Sequence, residues 1–163
     1  TTVGSLAFTE KVRVPASDDD AGWVTLAMGM QVELAPLHVA RFLQAIANDG
    51  RMQRPTVDHR LHAPGDTGTR VMSPATAERL RAAMRRVVTA GTASDAARAL
   101  DGTRWSLGGK TGTIPAQRDG QEDGWFAGLV FDERRAPRYV VVVQLVGQGR
   151  GGGAAATLAA ALT

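Results

Sequence analysis

The 163-residue sequence contains no cysteine, which excludes disulfide bonds, a thiol nucleophile and cysteine-rich zinc sites. Aromatic residues make up only 5% of the chain. The arginines are spread over residues 51–60, 79–86, 98–104 and 134–150 instead of forming one patch. A nucleic-acid groove would combine clustered cations with stacking aromatic side chains. We therefore expect a basic solvated surface and no nucleic-acid partner.

Long hydrophobic runs are also missing. No stretch approaches the roughly 18 apolar residues of a membrane-spanning helix, and the first residues lack the basic start and apolar block of a signal peptide. Apolar content of 44% and charged content of 21% are typical of a soluble globular domain. The length is sufficient for one domain with a real core.

Lysine is scarce as well, because all but two of the 19 basic side chains are arginine. The two lysines are Lys11 and Lys110, and the second lies in the stretch "SLGGKTGT" at 106–113. An ammonium is a compact point charge, whereas a guanidinium is a planar fork. A lysine kept between small residues in an arginine-rich chain therefore indicates a site that needs the smaller cation.

The first two thirds of the chain carry helical patterns. Residues 1–30 predict irregular structure with an acidic turn at "ASDDDAG". Residues 36–48 and 73–90 have apolar positions on one helical face. Each segment has a proline in its first turn, Pro36 or Pro74, and is followed within two residues by a glycine, Gly50 or Gly91. A polar loop separates these two helices, and "TASDAARAL" predicts a short third helix.

The pattern changes to strands after Gly102. "RWSLGGKTGT", "GWFAGLVFD" and "RYVVVVQLV" predict three strands, joined by short polar connections that favour antiparallel hairpins. Four consecutive valines make both faces of the last strand apolar. The alanine-rich tail at 151–163 predicts a final helix. The expected fold class is α+β, an antiparallel sheet flanked by helices.

Two other patterns are weak indications of a nucleotide site and a metal site. Gly147, Gly149 and Gly152 form a G-x-G-x-x-G between a strand and a helix, but no second parallel strand or ribose-binding acid follows. His59 and His62 lie three residues apart in a loop with nearby aspartates, where surface histidines are the default interpretation. We expect neither a nucleotide nor a metal ion, and no cofactor.

The segment from Gly108 to Thr113 combines groups that suit peptide recognition. Gly112 lets another backbone approach a strand edge, and Thr111 and Thr113 offer hydroxyl groups on one face because strand residues alternate. Lys110 supplies a compact charge for a carboxylate. Such a strand could hold an extended peptide and present an N–H to a developing oxyanion. By itself, the segment is equally compatible with a glycine-flanked hairpin and a surface lysine.

Lys110-Thr111-Gly112 resembles the third motif of the penicillin-recognising serine acyltransferases, which include penicillin-binding proteins and β-lactamases. Three further segments, in the family's order and spacing, resemble penicillin-binding proteins: "MGMQVELAPLHVARFLQAIANDGRMQRP", "VVTAGTA" and "GWFAGLV". The resemblance implies the later part of the serine-transpeptidase or β-lactamase-like fold.

The same resemblance implies roles for four residues. Lys110 would attract a substrate or β-lactam carboxylate and assist proton transfer, and Thr111 would hydrogen-bond that carboxylate. Thr113 would offer its backbone N–H to the oxyanion hole, and Gly112 would border the bound peptide. The implied partners are the D-alanyl-D-alanine stem peptide of peptidoglycan and β-lactam antibiotics.

Two family motifs are not found. None of the five serines is followed three residues later by lysine, and the single asparagine, Asn48, has Ile46 in the place of the serine of S-x-N. We therefore expect residues 1–163 to be the C-terminal portion of one transpeptidase domain. The nucleophile would lie in an upstream part of the same domain, and this chain alone would be inactive.

The resemblance as a whole implies a serine-type D,D-transpeptidase that cross-links stem peptides through an acyl-serine intermediate. It would act at the extracytoplasmic face of the cell membrane, with an anchor outside this chain. The alternatives are a class D-like β-lactamase or β-lactam sensor domain, and a non-catalytic penicillin-binding-like scaffold domain.

Overall fold

A computed structural model describes residues 20–27, 29, 32, 34–56, 67–114, 121–147 and 153–162. The elements in chain order are α1 (Asp20–Ala27), α2 (Pro36–Ala47), β1 (Arg51–Met52), β2 (Thr69–Arg70), α3 (Pro74–Ala90), α4 (Ser94–Arg98), β3 (Ser106–Ile114), β4 (Asp123–Phe131), β5 (Pro137–Leu145) and α5 (Ala154–Ala161).

The predicted helices are confirmed, and their starts follow from local chemistry. Proline occupies the first turn of both α2 and α3, where its missing N–H costs nothing. The Ser73 hydroxyl accepts a hydrogen bond from the Thr76 N–H at 3.1 Å, which satisfies one free donor at the start of α3. The short helix α4 and the terminal helix α5 also lie where the sequence predicts them.

The three predicted strands form one antiparallel sheet in the order β3-β4-β5. Strand β3 pairs with β4 along its whole length, from Ser106 opposite Phe131 to Ile114 opposite Asp123. Strand β4 pairs with β5 with one irregularity at Val130 and Phe131. This arrangement confirms the α+β class and the hairpin connections.

Helices cover both faces of the sheet, and the two faces carry separate apolar clusters. One cluster joins α2 and α3 to the sheet through Leu43, Ile46, Met84, Leu129 and Phe131. The other lies under α4 and α5 and comprises Val88, Ala93, Ala96, Leu100, Leu107, Phe126, Val130, Val143, Ala155, Ala156, Ala159 and Ala160. The valine run of β5 serves both clusters, since Val140 and Val142 pack on the first and Val141 and Val143 on the second.

Two regions differ from the sequence predictions. The expectation of irregular structure throughout 1–30 is wrong at Asp20–Ala27, where an acidic residue in the first turn suits the positive end of a helix. The polar loop after α2 contains the two-stranded sheet of β1 and β2. Gly50 permits this return of the chain, with φ of 88° and a carbonyl that accepts the Val71 N–H. Strands of two residues are too short to show an alternating pattern.

The buried side chain of Arg81 links helix α3 to the C-terminal end of helix α2. The Arg81 guanidinium of α3 donates to the Ile46 carbonyl at 2.8 Å and to the Asp49 carboxylate at 2.8 Å, at the C-terminal end of α2. Burial alone would lower the pKa of Arg81, but hydrogen bonds to Asp49 and Glu78 outweigh it and raise that pKa. The permanent cation satisfies carbonyls that the helix end leaves without partners.

Candidate active site

All four candidate site residues lie in the second half of β3. Lys110, Thr111, Gly112 and Thr113 are paired with consecutive residues of β4, from Ala127 back to Gly124. Within the described ranges β3 is an end strand of its sheet, so only one of its edges has a strand partner there. An extended peptide could therefore be accepted along the other edge.

The side chains of the site alternate between the two faces of the sheet. Thr111 is paired with Phe126, whose ring belongs to the cluster under α4 and α5. Lys110 is paired with Ala127, which packs on the cluster under α2 and α3. The Lys110 and Thr111 side chains thus lie on opposite faces of the sheet.

Two glycines hold this part of β3 close to its neighbours. A Cβ at Gly108 would lie 3.0 Å from the backbone nitrogen of Arg85 in α3. A Cβ at Gly109 would lie 2.3 Å from the Phe126 ring. Gly128, paired with Gly109, is crowded by the same ring, at 2.5 Å. The strand is therefore packed tightly between helix α3 on one face and the Phe126 ring on the other, directly before Lys110.

Replacing Gly109 with alanine should destabilise the fold by about 1–3 kcal/mol, the usual cost of overpacking a core. The added methyl group meets a fully buried ring and the Ala127 carbonyl, 2.8 Å away, so neither neighbour can move freely. Thermal unfolding of the protein measures the loss. Gly153→Ala is the control, because among the described residues no heavy atom outside its chain neighbours lies within 4 Å of its added Cβ. Equal melting temperatures for the two variants would contradict the packing described here.

Lys110 is exposed, and its ammonium contacts the backbone of the next residue in the strand. The Nζ atom donates to the Thr111 carbonyl at 2.6 Å. Among the described residues, no carboxylate forms a salt bridge with Lys110. A cation held by a neutral carbonyl retains its full charge for an anionic ligand.

Thr111 has a partner that the sequence does not predict. Its hydroxyl lies 2.7 Å from the Thr92 hydroxyl, which follows the end of α3. Thr92 belongs to the segment "VVTAGTA", which contributes to the family resemblance. The sequence pattern alone does not show that Thr92 contacts β3. The space at Gly112 is more open, since among the described residues a Cβ there would meet the Trp125 Cβ, at 3.3 Å, and no other atom within 4 Å beyond its chain neighbours.

The other sequence patterns define no second site among the described residues. Gly147 adopts a positive φ of 64° in a turn after β5, while Gly149, Gly152, His59 and His62 lie outside the described residues. The described residues contain no acidic or histidine cluster suited to a metal ion. None of their helices is long and apolar enough to cross a membrane.

The antiparallel sheet with helices on both faces defines an α+β fold of the serine-transpeptidase type. The family model described as "Penicillin binding protein transpeptidase domain" matches residues 8–163, and the chain belongs to that family. The family is that of the peptidoglycan transpeptidases, for which the stem peptide and β-lactams are the general ligands.

A solved structure supports the same assignment. The D,D-transpeptidase domain of the peptidoglycan glycosyltransferase from Eggerthella lenta is 26% identical to this chain, with a TM-score of 0.59. The match covers 80% of this chain and 32% of that one, so the chain spans about a third of its neighbour's length. No curated protein matches significantly.

Proposed function

We propose that this chain contributes the substrate-binding strand of a serine D,D-transpeptidase that cross-links peptidoglycan stem peptides. The observation that carries the proposal is strand β3 itself, which in the described ranges has a strand partner on one side only. It carries an ammonium without a carboxylate partner among the described residues and, on the next residue, a threonine hydroxyl. A D-alanyl-D-alanine terminus matches this edge, because it is an extended peptide that ends in a carboxylate.

Each of the four site residues has a defined role in this proposal. Lys110 attracts the terminal carboxylate and lies beside the path of the transferred proton, and Thr111 donates a hydrogen bond to the same carboxylate. The Thr113 N–H donates to the developing oxyanion. Gly112, with no side chain, leaves room for the peptide backbone.

The reaction is acyl transfer in two steps. A serine oxygen attacks the carbonyl carbon of the penultimate D-alanine, and the terminal D-alanine leaves with the proton as a free amino acid. The amine of a second stem peptide then attacks the resulting ester, forms the cross-link and returns the proton to the serine. Neither step uses a cofactor.

We further propose that the nucleophilic serine belongs to an upstream part of the same domain, of which residues 1–163 form the C-terminal portion. None of the five serines has the lysine at the third following position that would activate it. Because peptidoglycan is cross-linked outside the membrane, the site would face the extracytoplasmic side, with the anchor in another segment.

Labelling with a fluorescent penicillin tests the proposal. The isolated 163-residue chain should remain unlabelled, whereas the full-length polypeptide should form a stable adduct on one serine outside this chain. Mass spectrometry locates the adduct. An adduct on Ser5, Ser17, Ser73, Ser94 or Ser106 would contradict the proposed division of the active site.

The fate of the adduct separates the alternative functions. A transpeptidase retains the acyl group for long periods, whereas a β-lactamase hydrolyses it and regenerates free enzyme. Absence of any adduct on the full-length polypeptide would indicate a non-catalytic scaffold domain instead.

A further inference from the structure

The contact between Thr92 and Thr111 connects the end of helix α3 to the candidate carboxylate site. The two hydroxyl oxygens lie 2.7 Å apart, and either one can be the donor. Thr111 is partly buried in β3, whereas Thr92 is exposed in the turn between α3 and α4.

The residues on either side of Thr92 hold it in place. A Cβ at Gly91 would lie 2.8 Å from the Val87 carbonyl, so only glycine allows the chain to fold back over the last turn of α3. The Ala93 N–H then donates to that same carbonyl at 3.1 Å, and the Ala93 side chain is fully buried. Gly91 and Ala93 therefore fix the backbone, and Thr92 between them is directed at β3.

When a carboxylate ligand is bound, the single hydrogen on each hydroxyl decides whether Thr92 or Thr111 donates in their mutual hydrogen bond. Each threonine hydroxyl has one hydrogen and can accept two. A carboxylate can only accept, so Thr111 must give its one hydrogen to the ligand. The 2.7 Å contact then survives only if Thr92 donates to Thr111.

We propose that Thr92 is a positioning residue, whose hydroxyl donates to Thr111 and thereby directs the Thr111 hydrogen toward the substrate carboxylate. This inference rests on the proposed function. Without the Thr92 donor, the Thr111 hydroxyl is free to rotate, and its oxygen loses a hydrogen-bond donor. Thr92 does not touch the substrate, so its removal should weaken carboxylate recognition without abolishing the acylation reaction.

The test is acylation of the full-length polypeptide by a penicillin and by its methyl ester, which lacks the charged carboxylate. For Thr92→Val, which replaces the hydroxyl with a methyl group, we expect the rate constant with the free acid to fall about fivefold, the effect of one hydrogen bond. The rate with the ester should change little. Thr92→Ser should restore the preference for the acid.

Two further variants make the test specific. Thr89→Val makes the same chemical change at an exposed position of α3, three residues earlier, and should leave both rates unchanged. The double variant Thr92→Val/Thr111→Val should be no slower with the acid than Thr111→Val alone, because Thr92 acts only through Thr111.

An unchanged acid-to-ester preference in Thr92→Val would overturn the inference while leaving the proposed function intact. Additive losses in the double variant would also overturn it, since they would mean that Thr92 contacts the ligand itself. Failure of the unmodified full-length polypeptide to react with either compound would refute the proposed function, and this inference with it.

Discussion

Replacing Lys110 with alanine is expected to slow acylation of the full-length polypeptide by about 100-fold or more, the scale on which the loss of one preorganised electrostatic contact in an active site reduces a rate. The Lys110 ammonium has no carboxylate partner among the described residues, so its charge is available to the ligand. Stopped-flow measurement of β-lactam acylation gives the rate constant directly.

Arginine at position 110 should recover less activity than its charge alone would give. The Lys110 ammonium fits against the Thr111 carbonyl at 2.6 Å, a geometry that suits a compact donor and not a planar fork. Arg86→Ala, which removes an exposed cation from α3, is the control for loss of net charge and should leave the rate unchanged. A near-normal rate in Lys110→Ala would reduce Lys110 to an ordinary surface residue.

The main elements of the fold could be predicted because their signals are local. Helices α2 and α3 have apolar stripes with a proline at the start, and β4 and β5 are largely apolar segments bounded by polar turns. Helix α1 and the small β1–β2 sheet were not predictable in this way. The first is short, and the second depends on Gly50, whose close contact with Met72 joins segments more than 20 residues apart.

The site could be predicted only as a motif. Lys110, Thr111 and Gly112 are visible as a lysine between small residues, yet the sequence alone also permitted a simple hairpin. The contact of Thr92 with Thr111 spans 19 residues and depends on how α3 packs against β3. The same is true of Gly108 and Gly109, because the helix and the ring that require them are distant in sequence.

The two edges of the sheet are expected to limit the stability of the isolated chain. Strands β3 and β5 are each nine residues long, and in the described part of the chain each has a strand neighbour on one side only. Unpaired edges of this length are a template for aggregation. Of the four valines in β5, only Val143 is buried, the other three are partly exposed, and Tyr139 is 61% exposed.

The isolated 163-residue chain is therefore expected to be aggregation-prone or molten, and to become well ordered only with its upstream segment, either covalently attached or co-expressed. Burying one valine contributes about 1.5–3 kcal/mol. Val140, Val141 and Val142 are each only partly exposed, so completing their cover adds a fraction of that free energy for each valine to a net stability of about 5–15 kcal/mol. The unpaired strand edges are therefore the larger cause of the expected aggregation. Amide NMR spectra and calorimetry of the two forms measure the difference. Sharp, dispersed signals and a cooperative melt from the isolated chain would show that the existing helices cover the sheet sufficiently.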